Sequence, residues 1–125
     1  MLNYLLDYGV KSHTINYEEL DINDRLMLQD QINKVRKNYY ELLNLLDVVQ
    51  DKYLECTKNM SKRAKELIAS DGGSRTNSLL SSDEKYVTLE AESSALKTAM
   101  TMINGQIDFA KSDLRILNSV FYNKF

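Results

Sequence analysis

The sequence contains no proline, no tryptophan and only four glycines in 125 residues. Proline and glycine are the residues least compatible with a helix interior, so their scarcity favours long helices joined by few turns. A single cysteine excludes an internal disulfide. No apolar run reaches the roughly 18–20 residues that a membrane span requires. These absences predict a single all-α domain in the cytoplasm, without a membrane segment.

Apolar residues recur at alternating intervals of three and four in two long stretches of the chain. A mean spacing of about 3.5 residues is typical of a helix that packs along a partner helix. We refer to these two rows as the seams. The first seam is Leu28, Ile32, Val35, Tyr39, Leu42, Leu46, Val49, Tyr53, Cys56, Met60 and Leu67. The second is Tyr86, Leu89, Leu96, Met100, Ile103, Ile107, Ala110, Leu114, Leu117 and Phe121.

The seams and the turn residues together predict an antiparallel helical hairpin over residues 23–125. Asn23 or Asp24 is a good N-cap for a first helix over residues 23–69. The Gly/Ser-rich composition of residues 70–80 predicts a loop. Ser81 and Glu84 have the spacing of a capping box, which predicts a second helix over residues 81–122. Two helices of similar length joined by one loop are most simply a hairpin.

Residues 1–22 form a separate N-terminal arm. Its first residues, MLNYLLDYG, predict one short helix that ends at Gly9. Asp7 interrupts the apolar run and no basic residue precedes it, so it is not interpreted as a signal peptide. The leucines of this helix need another surface, either on the same chain or on a neighbouring subunit.

A second apolar stripe on the C-terminal helix predicts self-association. It lies roughly a quarter-turn from the seam, and a helix with two apolar stripes has two sets of neighbours. A two-helix hairpin covers only one of them, so we expect a homo-oligomer; the alternative is that the N-terminal arm folds back over the stripe. The predicted oligomer interface is Ala95, Ala99, Met102, Phe109, Ile116 and Val120.

The sequence shows no catalytic constellation. His13 is the only histidine and lies in the irregular arm, and Cys56 lies on the first seam, where a thiol behaves as a small apolar group. There are no His/Cys pairs with metal-ligand spacing, and Gly72-Gly73 is not followed by the Lys-Ser/Thr of a phosphate-binding loop. We therefore expect neither an enzyme nor a metal or cofactor site.

Charge is unevenly distributed along the chain. Residues 56–80 hold five bases against two acids, a net charge of +3, although the whole chain carries −2. Cations near a helix C-terminus also complement its dipole, but that does not explain Arg63, which occupies a seam position. On this interpretation Arg63→Leu would leave the fold as stable or more stable. The basic tract predicts a phosphate-binding surface formed by Lys58, Lys62, Arg63, Lys65 and Arg75.

The layout resembles the UvsY-like recombination mediators of bacteriophages. The resemblance rests on Tyr39-Tyr40 in the first long helix, the basic tract, the Asp71-Gly72-Gly73 loop and Leu80-Ser-Ser-Asp83 opening the last helix. It implies a ring-forming helical protein that binds single-stranded DNA. Such a protein displaces or remodels single-strand-binding protein and helps load a RecA-like recombinase, in DNA recombination, repair and replication. The alternative is a structural or adaptor coiled coil, such as a virion component or a chaperone-like protein, acting through protein contacts alone.

Overall fold

The computed structural model describes residues 14–71 and 76–125. This part of the chain is mostly helical and contains no strand. Helix α1 spans Arg25–Asp71, α2 spans Thr76–Ser82 and α3 spans Glu84–Lys124. The two long helices, α1 and α3, pack against each other. The predicted all-α class is thereby confirmed. The predicted short N-terminal helix and His13 lie outside the described residues.

The chain divides into two compact units, and both long helices contribute to each of them. The terminal unit comprises residues 14–47 and 101–125 of the described chain, and the loop unit comprises the described part of residues 48–100. The first half of α1 therefore shares a unit with the second half of α3, and the second half of α1 with the first half of α3. This pairing is that of two antiparallel helices.

The core of the terminal unit contains residues of both seams. Leu28, Ile32 and Val35 of α1 are buried in one cluster with Ala110 and Leu117 of α3. Partly buried side chains from the same helices surround this cluster, among them Tyr39, Leu114 and Phe121. The spacing that predicted the seams thus also identifies the buried faces of the helices.

A segment before α1 is held against the terminal unit. Ile15 is buried in the same core cluster. The Tyr17 hydroxyl donates a 2.6 Å hydrogen bond to Asp113 Oδ1, and the Lys124 amine donates one of 3.2 Å to Asn23 Oδ1. Partial burial and the Asp113 carboxylate raise the pKa of Tyr17 to about 12, so the phenol remains a donor at neutral pH.

The core of the loop unit is smaller and includes the single cysteine. Val49, Cys56, Leu96 and Ala99 are buried. The Cys56 thiol lies 3.2 Å from the Leu89 carbonyl oxygen, to which it donates. Burial, with the nearby Glu92 carboxylate, raises the pKa of this thiol, so it stays protonated at neutral pH. Cys56 packs as the seam predicted.

The predicted helix ends match the structure at the start of α1 and differ from it at the end of α1 and the start of α3. Asp24 is the N-cap of α1, because its Oδ1 accepts a 3.1 Å hydrogen bond from the Met27 amide. The predicted loop over residues 70–80 is wrong at both of its described ends, since α1 continues to Asp71 and α2 begins at Thr76, while residues 72–75 lie outside the described part of the chain. The predicted capping box is also wrong: Ser81 lies inside α2, and Asp83 is the N-cap of α3.

Candidate nucleic-acid interface

Three lysines lie on one face of α1 in the loop unit. Lys58, Lys62 and Lys65 are spaced by four and then three residues, which places them within two turns on the same side of a helix. All three are exposed. Glycine and proline are absent between residues 25 and 71, so the helix continues beneath them. We call this row of three side chains the lysine face.

Arg63 has a different environment from the lysines. Its Nε donates to Asp83 Oδ2 at 3.0 Å and its Nη2 to Asp83 Oδ1 at 2.8 Å. A third, longer contact of 3.4 Å joins Nη1 to Glu66 Oε2. The side chain is 27% exposed. This bidentate pair is the physical reason for an arginine on the seam. It uses two of the Arg63 donors that were predicted to bind phosphate.

Asp83 both pairs with Arg63 and caps a helix. Besides the guanidinium, its Oδ2 accepts a 2.8 Å hydrogen bond from the Tyr86 amide in the first turn of α3. These two donors, chiefly the Arg63 guanidinium, hold the pKa of Asp83 at about 2. The carboxylate therefore stays charged in the folded protein over the whole physiological pH range. One side chain links the start of α3 to α1.

An open groove of about 260 Å³ adjoins the lysine face in the loop unit. Lys85 was not predicted to be part of a basic site, because in the sequence it lies outside the basic tract of residues 56–80. The antiparallel pairing of two helices of similar length was the signal that would have placed it near residue 62. The residues lining the groove are Asn59, Lys62, Arg63, Glu66, Lys85 and Leu89.

The structure places the predicted interface residues in different environments. Arg75 lies outside the described residues. In the loop unit, Ala95 is half-buried and Ala99 is buried within the chain, so Ala99 offers no surface to a second copy. In the terminal unit, Val120 packs against the core cluster. Met102, Phe109 and Ile116 remain exposed, at 46%, 70% and 43%.

Replacing Arg63 with leucine is expected to lower the thermal stability, contrary to the expectation from the heptad pattern alone. The change leaves the Asp83 carboxylate without its guanidinium partner, although Asp83 still caps α3. The unfolding temperature of Arg63→Leu, followed by circular dichroism, should fall below that of the unaltered chain. Glu66→Gln, which removes only the negative charge at the 3.4 Å contact, is the matched control and should change little.

The same pair predicts a pH dependence on the acid side. The pKa of Asp83 is lower in the folded protein than the ordinary value of about 3.9, so its stabilising contribution is complete above about pH 4 and is lost toward pH 2. Arg63→Leu should reduce this acid-side loss. An unfolding temperature for Arg63→Leu at or above that of the unaltered chain at pH 7 would contradict the role given to the pair.

Comparisons with known proteins found no matching family model, no similar curated protein and no similar solved structure. Within the two described ranges, no group of three His, Cys, Asp or Glu side chains is placed to hold a metal ion. Among the helices that the structure describes, none is long and apolar enough to cross a membrane.

Proposed function

We propose that this protein is a single-stranded-DNA-binding recombination mediator. It would help a RecA-like recombinase assemble on DNA that is covered by single-strand-binding protein. The observation that carries the proposal is the lysine face, three exposed cations on one side of α1. The resemblance to UvsY-like mediators supplies the biological setting, which for a phage-encoded protein is the cytoplasm of the infected bacterium.

The lysine face suits a phosphate backbone better than it suits base recognition. Lysine ammonium groups bind phosphates as point charges, with little dependence on sequence. The tyrosines of the loop unit, Tyr53 and Tyr86, are at least half-buried and so offer few free rings for base stacking beside the lysine face. We therefore propose electrostatic binding with little sequence preference.

Fluorescence anisotropy with a labelled oligonucleotide tests the proposal. Binding to single strands should weaken as salt rises, because each phosphate contact releases counterions. The slope of log affinity against log salt is about −0.7 per contact, so three contacts give a slope of about −2 per protomer. The unaltered protein should also speed recombinase filament formation on oligonucleotides precoated with single-strand-binding protein. A chain that does not bind single-stranded DNA at low salt would refute the proposal.

The alternative is an adaptor that acts by protein contacts alone. The observation that favours it is the row of three exposed apolar side chains in the terminal unit, Met102, Phe109 and Ile116, spaced by seven residues on one face of α3. A self-associating mediator would also use such a row. DNA binding, and not oligomerisation, therefore distinguishes the two functions.

The double substitution Phe109→Asp and Ile116→Asp is expected to dissociate an oligomer while leaving the helices folded. Both side chains are exposed in the single chain, so the charges remain hydrated in the monomer and would be buried only between copies. Light scattering measures the mass, and circular dichroism measures the helix content. Lys111→Asp together with Arg115→Asp, at exposed polar positions of the same helix, is the control. A monomeric unaltered protein at micromolar concentration would contradict the assembly.

A further inference from the structure

The groove beside the lysine face is lined by lysine side chains from two helices. Lys62 and Asn59 stand on the α1 side, and Lys85 and Leu89 on the α3 side. All of these residues belong to the loop unit. The lysine face alone is therefore not the whole basic surface of this unit, because a fourth lysine approaches from the neighbouring helix.

The charges already present in the groove determine which side chains are available to a ligand. Asp83 holds Arg63 through two hydrogen bonds, so much of the arginine's charge is compensated within the chain. Glu66 lies in the same groove and makes the longer contact to Arg63. Lys62 and Lys85 are the two exposed cations that line it. An anion in the groove would meet an ammonium group on each side.

We propose that this groove binds one backbone phosphate of single-stranded DNA between Lys62 and Lys85. The Asn59 amide would supply a neutral donor to the same phosphate. This inference rests on the proposed function and adds to it a specific contact, from α3, that the basic tract of α1 does not contain. DNA binding then requires α1 and α3 to be packed together, since neither helix alone carries both lysines.

Replacing Lys85 with glutamine tests the groove. The change leaves Lys62 alone on the shared phosphate, so the salt slope should become less steep by at most about 0.7, which at 0.1 M salt is a loss of up to about fivefold in affinity. Lys85→Arg keeps the charge and should keep the slope. Lys111→Gln, an exposed lysine of the same helix in the terminal unit, makes the same change in net charge away from the groove and should have little effect.

Chemical protection provides a measurement that needs no variant. Bound oligonucleotide should slow acetylation of the Lys62 and Lys85 amines in the unaltered chain, as followed by mass spectrometry, and should leave Lys111 unaffected.

A further variant tests the acidic side chain of the groove. Glu66→Gln removes its negative charge and should raise the affinity for single strands at low salt.

The outcomes separate the two proposals. If the unaltered chain does not bind single-stranded DNA, both are wrong. If Lys62→Gln weakens binding while Lys85→Gln behaves as Lys111→Gln does, and Lys85 is not protected, then the groove is not a phosphate site and the lysine face of α1 acts without it. Equal weakening by Lys62→Gln and Lys85→Gln, with protection of both amines, supports the groove.

Discussion

Replacing Leu28 with alanine should lower the free energy of unfolding by about 2–5 kcal/mol, the range found when a large buried side chain is truncated. Leu28 is fully buried, at 0% exposure, in the core of the terminal unit. Truncation removes its contacts with both helices and leaves a cavity that the neighbouring side chains fill only in part. Urea unfolding followed by circular dichroism measures the change.

Leu26 provides a matched control two residues away on the same helix. Its side chain is 80% exposed, so the same leucine-to-alanine change removes little buried surface. The expected change in unfolding free energy is within about 0.5 kcal/mol, as at most surface positions. Equal effects at Leu26 and Leu28 would mean that the first seam is not the buried face of α1.

Replacing Lys58, Lys62 and Lys65 together with glutamine should weaken single-stranded-DNA binding about a hundredfold at 0.1 M salt and flatten the salt slope by about 2. The three lysines form the exposed face of α1 in the loop unit, and each is assigned one phosphate. Lysine and glutamine have similar helix propensities, so the fold should persist. Anisotropy titrations between low and moderate salt measure both quantities.

A control with the same change in net charge separates a local site from a general electrostatic effect. Lys34, Lys37 and Lys111 are exposed lysines of the terminal unit, away from the lysine face. Their replacement with glutamine should leave the salt slope nearly unchanged. If both triple variants lose affinity equally, the binding reflects total charge and the lysine face is not a defined site.

The hydrophobic pattern was sufficient to predict the helical class and the buried faces. Every residue of both predicted seams that lies in the described chain is buried or half-buried. The prediction placed Leu46 on the first seam and not Leu45, although both fall between Leu42 and Val49 at intervals of three and four. The structure buries Leu45, at 3% exposure, and leaves Leu46 half-buried.

The role of Arg63 could not be predicted from its own surroundings in the sequence. Its partner Asp83 lies twenty residues away, across α2, and the pairing depends on how the second half of α1 meets the start of α3. The prediction of a capping box at Ser81 and Glu84 was wrong for the same reason. Ser81 and Glu84 match the local motif. Asp83, however, accepts hydrogen bonds both from the Tyr86 amide and from the Arg63 guanidinium of the facing helix. Long-range contacts of this kind decide between equivalent local signals.

The contact between Arg63 and Asp83 also bears on the alignment of the two long helices. Seams that repeat every seven residues allow antiparallel helices to slide by one heptad and still bury apolar side chains. A slip in one direction would bring Thr76, which has no charge, to the position of Asp83. A slip in the other would bring Glu90, a carboxylate inside α3, which would not reproduce the arrangement in which one carboxylate holds both Arg63 and the Tyr86 amide. A single charged pair at a helix start therefore favours one register among several that the apolar residues alone would tolerate.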